Sequence, residues 1–546
     1  MTNRELALPF RTLGRVMEYL GENPFKTRSY ARAYETIRKA GQPLVGTPRE
    51  GLLAIPGIGS AIADKILEFG ATGRLTTLER YLGQVPAGVI ELLGVRGLGP
   101  KKVRQFVDEL GVESVGELLH AIRENRVAAL RGFSAKSQAK LREQLEFHQH
   151  SLGRSRLADV LPAATALRDR LRAAAPRAEF SGQLARQCDV VDRVELLVAG
   201  PVPTEALGAD WAPSEANGGA YAGTVEGLPA IIRSCPADRF PAQRVAATLG
   251  PGFAARHVGL LSLEMDGGYA DERSVFAAAS LPYVPTPQRE ADSPWPPVPE
   301  EEVIDLDDIR GVVHAHTTWS DGSATIREMA EAARSAGYEY LTITDHSRAA
   351  SYAGGLQPDR LREQVEAVRA VDAQLDGITL FTGTECDILR DGSLDYDDDL
   401  LADLDFVVAS VHSVLRMEID DATERLLHAV ANPHVDVLGH PSGRLLLSRP
   451  GYPLDYDRLL DACAAHGVAV ELNASPYRLD LDWRLLPAAI ARGVLVSINP
   501  DAHSVSGIDD IRYGVLAAQK AGLRPRDCLN ARSAADFAAL LHGRRA

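Results

Sequence analysis

The chain has 546 residues, of which 45% are hydrophobic, with five cysteines and a formal net charge of −15. This length is too great for one ordinary domain, so we expect three or more domains with separate cores. No apolar run approaches a membrane span, no leader-like segment opens the chain, and the cysteines lack a paired spacing. We therefore expect a soluble, cytoplasmic protein without a disulfide framework or a cysteine-ligated zinc ribbon.

The charge is distributed unevenly. Residues 1–150 contain 22 Lys and Arg against 16 Asp and Glu, a net charge of +6, which leaves −21 for the remainder. Short amphipathic segments separated by glycine-centred turns predict an all-α structure for this basic region. The basic end is suited to phosphate, and the acidic remainder is suited to cations.

Two turns in the basic region share an apolar-x-Gly-apolar-Gly pattern that opens a helix. They are "IPGIGSAIADKI" at 55–66, with Gly57 and Gly59, and "VRGLGPKKVRQF" at 95–106, with Gly97, Gly99, Lys101 and Lys102. Glycine lets backbone N–H groups approach a phosphate at the positive end of a helix. Their pairing in a basic region favours DNA-backbone binding over a purely structural turn. A third segment, "LRGFSAKSQAKL" at 130–141, is either a degraded copy or a helix cap.

The middle of the chain predicts an α+β region followed by a linker. A long helical segment, "RLADVLPAATALRDRLRAAA", precedes strand-like runs such as "VELLVAG" and "LPAIIRS". "LPYVPTPQREADSPWPPVPEEE" is rich in proline and has almost no apolar periodicity. That composition predicts a stiff linker.

From about residue 306, strands and helices alternate. The strand segments are "GVVHAHT", "YLTITDH", "ITLFTGTECD", "DFVVASVH", "VDVLGHP", "VAVELNAS" and "VLVSINPDAH". Seven βα-like units predict a parallel barrel or a close relative of one.

Histidines and carboxylates follow nearly every one of these strands. The residues are His314, His316, Asp321, His346, Glu385, His412, His440, Asp501 and His503. The carboxyl ends of barrel strands meet on one face, and His-x-His on a strand places both rings on one side. A single histidine of this kind is more often a core or surface residue. Nine nitrogen and oxygen ligands at one topological position instead predict two or three divalent metals.

The motifs "HAHTTWSDG", "ITDHS", "GTECDI", "ASVHS", "LGHPSGRLL" and "NPDAH" resemble those of the PHP (polymerase and histidinol phosphatase) superfamily. The resemblance implies three ligand groups, which are His314, His316, Glu385 and Asp501, then Glu385, His412 and His440, then Asp321, His346 and His503. It further implies Mn²⁺ or Zn²⁺ ions that activate water for attack on phosphorus. Arg444, just after His440, either clamps a phosphate oxygen or pairs with acidic groups.

The two glycine turns look like helix-hairpin-helix motifs. Followed by a PHP-like region, their order resembles the bacterial family X DNA polymerases. The resemblance places Lys65 at the position of a Schiff-base lysine and Tyr30 at that of a supporting tyrosine, although an ordinary solvated lysine is the simpler interpretation of Lys65.

The middle region departs from the family X pattern. Aligned on Gly182, the expected serine is Gln183, the first arginine is Ala185, and Arg186 survives. The three metal-binding aspartates of that family would fall at Arg193, Glu195 and Ile231, with a matching Arg233 nearby. A cation in place of a ligand repels Mg²⁺, so we expect impaired or absent nucleotidyl transfer unless Asp189, Asp192 or Asp238 forms an unusual site.

These observations predict a multidomain chain. The expected domains are a lyase-like helical domain (1–80), a fingers-like domain (81–150), a palm-like domain (151–240), a thumb-like region (241–283), a linker (284–305) and a PHP domain with a distorted (β/α)7 barrel (306–546). We expect a DNA-repair nuclease, acting as a 3′-5′ exonuclease on gapped, nicked or 3′-ended DNA, in a cytoplasmic and nucleoid-associated setting. The alternatives are an active gap-filling polymerase with a non-standard palm, a small-molecule phosphatase of the histidinol-phosphate type and a non-catalytic DNA-end tether.

Overall fold

A computed structural model describes residues 3–40, 43–95, 97–150, 153–208, 210–214, 220–261, 268–290 and 295–545. The chain divides into two compact units, Met1–His148 and Gln149–Ala546. Arg96, in the second glycine turn, and residues 291–294, in the proline-rich segment, lie outside the described residues. No helix of the described residues is long and apolar enough to cross a membrane.

The first unit is all-α, as predicted. Its helices are α1 (Asn3–Tyr19), α2 (Pro24–Lys39), α3 (Arg49–Leu53), α4 (Ser60–Thr72), α5 (Thr76–Leu82), α6 (Ala87–Gly94), α7 (Pro100–Leu110), α8 (Val115–Arg123) and α9 (Ala135–His150). Helix α7 shows how local sequence sets these bounds: Gly99 is its N-cap, Pro100 is its first residue, and Gly111 ends it with a φ of 68°.

The second unit begins with a mixed region. Its elements are β1 (Ser155–Arg156), α10 (Leu157–Ala174), β2 (Ala178–Ser181), α11 (Gly182–Ala185), β3 (Val190–Val191), β4 (Val194–Ala199), β5 (Ala212–Ser214), β6 (Ala220–Val225), β7 (Leu228–Cys235), α12 (Phe240–Thr248), α13 (Pro251–Arg256), α14 (Val258–Leu261) and α15 (Glu272–Ala278). Five strands form a sheet in the order β2-β4-β7-β6-β5, in which only the β4–β7 pair is parallel. Residues of α10 and this sheet share one core, while α12, α13 and α15 contribute to another.

In the residues described before position 291, the proline-rich segment is packed against this region rather than extended as a spacer. Arg289 is fully buried and donates to the Val284 carbonyl (2.8 Å) and to Thr248 Oγ1 (2.8 Å). It also pairs with Glu272 at 2.7 Å. The prediction of a linker was wrong for these residues because a buried arginine, and not apolar periodicity, holds them in place.

The rest of the second unit contains the predicted βα repeats. The elements are β8 (Gly311–Val312), α16 (Ile326–Ser335), β9 (Tyr340–Ile343), α17 (Pro358–Asp372), β10 (Thr379–Asp387), α18 (Asp398–Ala402), β11 (Phe406–Ser410), α19 (Ile419–Val430), β12 (Val437–Leu438), α20 (Tyr456–His466), β13 (Ala469–Asn473), α21 (Leu486–Ala491), β14 (Val496–Asn499), α22 (Ile511–Ala521) and α23 (Ala534–Arg545). All neighbouring strands from β8 to β14 pair in parallel, in chain order. Most of their residues are buried, as expected where both faces of a parallel sheet are covered.

The seven strands form a nearly closed barrel. Beyond the ends of β8 and β14, a parallel bridge joins Ala315 to Ala502, with His316 N donating to the Ala502 carbonyl at 2.8 Å. β8 is shorter than the predicted strand "GVVHAHT", since its regular ladder with β9 ends at Val312. Ala315 still contacts both neighbouring segments: its carbonyl accepts from Thr344 N at 2.9 Å, and its bridge with Ala502 closes the barrel.

Candidate metal centre

The carboxyl end of the barrel brings the nine predicted ligands together. The imidazoles of His314 and His316 follow β8, Glu385 lies within β10, and Asp501 follows β14. His314 and His316 are fully buried, and Glu385 is 1% exposed. A histidine and carboxylate cluster from distant parts of the chain therefore occupies one buried face of the barrel.

The distances within the cluster match ligands that share an ion. Asp501 Oδ1 lies 3.2 Å from His316 Nε2 and 3.6 Å from His314 Nε2, and Glu385 Oε1 lies 3.5 Å from His314 Nε2. Donors about 2.1 Å from a tetrahedral ion stand about 3.4 Å apart. His314 Nε2, His316 Nε2 and Glu385 Oε2 are buried and make no hydrogen bond with the described residues. Buried donors of this kind fit divalent cations.

Three groups of side chains in the described residues are placed to hold metal ions. They are His314, His316 and Asp501; His346, Glu385 and His412; and His316, Asp321, His346 and His503. His440 Nε2 joins the second group through Glu385 Oε1, at 2.9 Å. His316 and His346 each belong to two groups, so the groups are more closely joined than the division implied by the PHP resemblance.

The ionisation of the cluster favours bound cations. Burial opposes charge on Glu385, but His412, His314 and His346 hold the pKa of this carboxyl well below its usual range. Burial also opposes charge on His314, but Glu471, Asp501 and Glu385 raise its pKa well above the ordinary value. The Glu385 carboxyl is therefore ionised at neutral pH, and a metal ion would compete with a proton for the His314 imidazole.

Residues behind the ligands orient them. Glu471 on β13 is fully buried; its Oε1 lies 2.7 Å from His314 Nδ1, and its Oε2 accepts from the backbone N–H of His440 at 2.6 Å. Asn473, two residues further on the same strand, donates to Asp501 Oδ2 at 3.0 Å. A carboxylate that fixes the ring of a metal-binding histidine is a common supporting contact.

Sequence analysis did not identify these supporting residues. Glu471 and Asn473 lie in "VAVELNAS", the one predicted strand without an assigned ligand. Asp387, whose Oδ1 lies 3.3 Å from His412 Nδ1, follows Glu385 by two residues. Residues two apart on a strand share a face. This spacing could have predicted that Asp387 faces the cluster together with Glu385, and that Glu471 and Asn473 face it together.

Two of the ligands have unusual backbone conformations. His440 has a φ of 25° and Asp501 has a φ of 52°, in a region that residues other than glycine rarely adopt. Such strain persists where surrounding contacts enforce it, and it concentrates at functional sites. Here the buried hydrogen bond from His440 N to Glu471 supplies one such contact.

Comparison with known proteins agrees with this geometry. Family models match as a Helix-hairpin-helix domain over residues 1–75, a SAM-like Helix-hairpin-helix tandem over 89–146 and a PHP domain over 313–475. The chain is 32% identical to a DNA polymerase/3'-5' exonuclease PolX of Bacillus subtilis, over 99% of both chains. The chain belongs to the PolX family.

Other relatives match a smaller part of this PolX-family chain. Probable phosphatases of Thermoanaerobacter sp. and Syntrophotalea carbinolica are each 28% identical over 40% of it, which covers 88% and 90% of their own lengths. The PHP match and the buried cluster together support a site for divalent metal ions.

Arg444, the candidate phosphate clamp, is engaged by protein acceptors in this structure. Its Nε donates to the Arg478 carbonyl at 3.0 Å, and Nη1 pairs with Asp482. Its Nη2 donates to Asp189 at 3.2 Å and to the Leu479 carbonyl. Every guanidinium nitrogen thus has a protein acceptor, which favours the interpretation of Arg444 as the partner of acidic groups, and a role in phosphate binding stays a prediction.

The palm-like sheet places two of the predicted positions, Glu195 and Ile231, beside one another. Glu195 on β4 and Ile231 on β7 are direct neighbours in the parallel pair. Glu195 Oε1 accepts from Arg233 at 3.0 Å, whereas Arg193, with 59% of its side chain exposed, pairs with Asp192 at 2.9 Å. None of the metal-capable groups found in the described residues lies in this sheet.

The segment between α11 and β4 is held against the barrel. Asp189 pairs with Arg444, and burial raises the pKa of its carboxyl despite that partner. Arg186 pairs with Glu290, and its carbonyl accepts from Lys520 Nζ at 2.7 Å. Gln187 donates to Gln519 at 2.9 Å. Asp189 and Arg186 are therefore engaged in packing between the two parts of this unit.

The glycine turns have the geometry that the sequence predicted. Gly57 and Gly97 have φ values of 96° and 90°, and Gly59 and Gly99 cap α4 and α7. Lys101 and Lys102, in the first turn of α7, are exposed. In the third segment, Gly132 also has a positive φ, 89°, before α9 begins. This third turn lies within the matched tandem, which favours the interpretation of a degraded copy.

The two candidate lyase residues lie on different helices of the first unit. Tyr30, on α2, is 6% exposed, and burial raises the pKa of its phenol. Lys65, on α4, is half-buried. Lyase chemistry at Lys65 stays a prediction.

Proposed function

We propose that this PolX-family chain is a DNA-processing enzyme whose metal centre hydrolyses phosphodiester bonds as a 3′-5′ exonuclease. The observation that carries the proposal is the set of nine candidate ligands, seven of them buried, in a chain that also has helix-hairpin-helix domains. The name of the Bacillus subtilis relative includes the same activity. Abasic-site cleavage and 3′-end trimming would use the same hydrolytic chemistry.

The ligand set suits two or three Mn²⁺ or Zn²⁺ ions. Such ions would lower the pKa of a bound water and neutralise phosphate oxygens during in-line attack. His314, His316 and Asp501 would hold one ion, and Glu385 would lie between this ion and one held with His412. Glu471 would keep the His314 ring in place, and Asn473 would fix Asp501.

DNA binding would come from the helix-hairpin-helix turns. Backbone N–H groups at the N-terminus of α7, together with Lys101 and Lys102, suit phosphate contacts without base specificity. Such contacts would hold gapped, nicked or 3′-ended DNA. A cytoplasmic, nucleoid-associated location is part of this proposal.

The direct test is an assay on end-labelled gapped DNA with Mn²⁺ and, separately, with Zn²⁺. Stepwise shortening from the 3′ end is the expected result. Accumulation of internally cut products, or no cleavage with either ion, would argue against an exonuclease. Ion content measured on the purified protein would identify the resident metal.

We further propose that the palm-like region does not polymerise efficiently. Two-metal nucleotidyl transfer needs converging carboxylates, and the structure instead pairs Glu195 with Arg233 and has Ile231 beside it. The test compares template-dependent incorporation by the unaltered protein with that of an Arg193→Asp, Ile231→Asp double variant, in Mg²⁺ and in Mn²⁺. Efficient gap filling by the unaltered protein, independent of the PHP site, would contradict this proposal.

A phosphatase of small molecules is the second candidate, because the 28% identical relatives are named as probable phosphatases. The two candidates differ in substrate size. A phosphatase would hydrolyse phosphate monoesters at a rate that does not depend on the helix-hairpin-helix domains. The nuclease would act on DNA, which these domains bind. Competition between a monoester and gapped DNA would separate them.

Lys65, with Tyr30, is the proposed site for lyase activity on a 5′-deoxyribose phosphate. A Schiff base requires an unprotonated lysine, so borohydride trapping on such an end is the appropriate assay. Absence of a Lys65-dependent adduct would restrict the first unit to DNA binding.

A further inference from the structure

One carboxylate of the metal centre lies in a loop and not on or directly beside a strand. Glu385 lies within β10 and Asp501 closely follows β14, whereas Asp321 lies in the loop between β8 and α16. Regular elements hold side chains more precisely than loops do. A ligand in this position therefore needs contacts that fix its loop. We call residues 317–323 the Asp321 loop.

A second carboxylate, which is not a predicted ligand, holds this loop. Asp345, just after β9, is fully buried and accepts five hydrogen bonds. Thr317 donates through its N–H to Oδ1 at 2.8 Å and through its hydroxyl to Oδ2 at 2.7 Å. Ser320 donates to Oδ1 through its N–H at 3.2 Å and through its hydroxyl, and Gln364 on α17 donates to Oδ2. All but one of these donors belong to the Asp321 loop.

Ser320 connects this anchor with the ligand. Its hydroxyl oxygen lies 3.3 Å from Asp321 Oδ1. Asp321 Oδ1 is in turn 3.4 Å from His503 Nε2, and Asp321 Oδ2 is 3.6 Å from His346 Nε2. This spacing is that of donors around a shared ion. A shift of the loop would move Asp321 relative to both histidines.

Asp345 also contacts a second ligand-bearing segment. Its carbonyl accepts from Thr384 Oγ1 at 3.1 Å and from the backbone N–H of Glu385 at 3.2 Å. Asp345 itself belongs to none of the groups in the described residues that could hold a metal. Its side chain therefore acts on the centre through the Asp321 loop.

We infer that Asp345 is a positioning residue that sets the affinity of the ion held by Asp321, His346 and His503. The inference rests on the proposed metal centre. The ligands of the other ions have separate support, because Glu471 contacts His314 and Asn473 donates to Asp501. Loss of the Asp345 contacts should therefore weaken one ion and leave the others.

Counting bound ions tests this selectivity without an activity assay. Asp345→Asn keeps the size of the side chain but replaces one acceptor oxygen with an amide nitrogen that can only donate. The affinity for one ion should fall about 10- to 100-fold, as is usual when a contact behind a ligand is lost. The full-length protein is dialysed against a series of Mn²⁺ concentrations, and bound Mn²⁺ is counted by mass spectrometry. At the lowest concentration that saturates the unaltered protein, the variant should hold one ion fewer per chain.

A pair of milder substitutions tests the same contact from the loop side. Thr317→Val keeps the shape of the side chain and removes the hydroxyl that donates to Asp345. It should weaken the same ion. Thr317→Ser keeps the hydroxyl and should retain the affinity of the unaltered protein. Near-UV circular dichroism verifies that each variant is folded.

The control is Asn530→Ala, which removes a buried side chain that donates to the carbonyls of Gly311 and Ile498 and has no contact with the Asp321 loop. Its ion count should equal that of the unaltered protein. The inference is overturned if Asp345→Asn binds all ions with unaltered affinity, if all ions weaken equally, or if Asn530→Ala loses the same ion. Absence of bound Mn²⁺ in the unaltered protein would contradict the metal centre itself, whereas a full set of ions without cleavage of DNA would contradict only the proposed nuclease.

Discussion

The barrel and the palm-like sheet both place carboxylates on parallel strands, but among the described residues only those of the barrel belong to groups that could hold a metal ion. In the barrel, Glu385 and Asp501 face histidines at 2.9–3.7 Å, and Arg478 Nε lies 3.9 Å from Asp501 Oδ2. In the palm-like sheet, Glu195 faces Arg233 at 3.0 Å. A carboxylate that faces imidazoles is available to a divalent cation, because the cation can displace their protons, whereas an adjacent guanidinium keeps its proton and takes the place of the cation.

The largest effect should follow from removing one shared ligand. His314→Ala should lower Mn²⁺-dependent nuclease activity at least about a thousandfold, because stabilisation by the metals supplies most of the catalysis. DNA affinity, measured by fluorescence anisotropy, should stay nearly unchanged. The matched control is His466→Ala, an exposed histidine that ends α20. Full activity in purified His314→Ala would rule out the multinuclear site.

The next largest effect should follow from removing the contact between the barrel and the palm-like region. Arg444→Ala leaves the buried Asp189 without its partner and should lower the free energy of unfolding of the second unit by about 3 kcal/mol. Arg492→Ala is the control, since Arg492 pairs with the largely exposed Asp457 and Asp461. That surface change should cost less than about 1 kcal/mol. Equal urea midpoints for the two variants would show that the buried contact stabilises the second unit no more than the exposed one.

Weakening the support behind a ligand should have an intermediate effect on the metal site. Glu471→Gln keeps the size of the side chain but removes the charge next to His314 Nδ1, so metal affinity or activity should fall about 10- to 100-fold. Titration with Mn²⁺ separates the two outcomes. An unchanged titration and an unchanged rate would mean that Glu471 serves only the packing of the barrel interior.

The smallest expected effect concerns the first unit. Replacing Lys101 and Lys102 with Glu should weaken DNA binding for all sequences and lower the salt dependence by about one unit per lost phosphate contact. Arg74→Glu is a suitable control, because Arg74 is an exposed residue paired with Glu79 outside the three glycine turns. An unaltered salt slope in the double variant would make "GLGPKK" a structural turn only.

Much of the metal centre could be predicted because its residues follow predictable strands. His314, His346 and His412 each follow an apolar run, and parallel strands bring their ends together. The ends of the strands were less predictable. β8 ends at Val312, and the next pairings, of Ala315 with Thr344 and of His316 with Ala502, depend on tertiary contacts.

Other features depend on partners that no local pattern reveals. Arg444 and Asp189 are 255 residues apart, and only the packing of the palm-like region on the barrel brings them together. The packing of the proline-rich segment rests on Arg289, whose burial contradicts the usual behaviour of arginine. Sequence patterns assign charged residues to the surface. Predictions that depend on a buried charged residue are therefore wrong for the same reason.

Closure of the barrel by the bridge between Ala315 and Ala502 also sets when activity can arise during synthesis. Domains emerge from the ribosome and fold from the N-terminal end. Asp501 and His503 belong to the last ligand segment to emerge, whereas the helix-hairpin-helix turns are complete by residue 146. A nascent chain would therefore be able to hold DNA well before it could cut it, and a translation product that stops short of the closing segment would bind without cleaving.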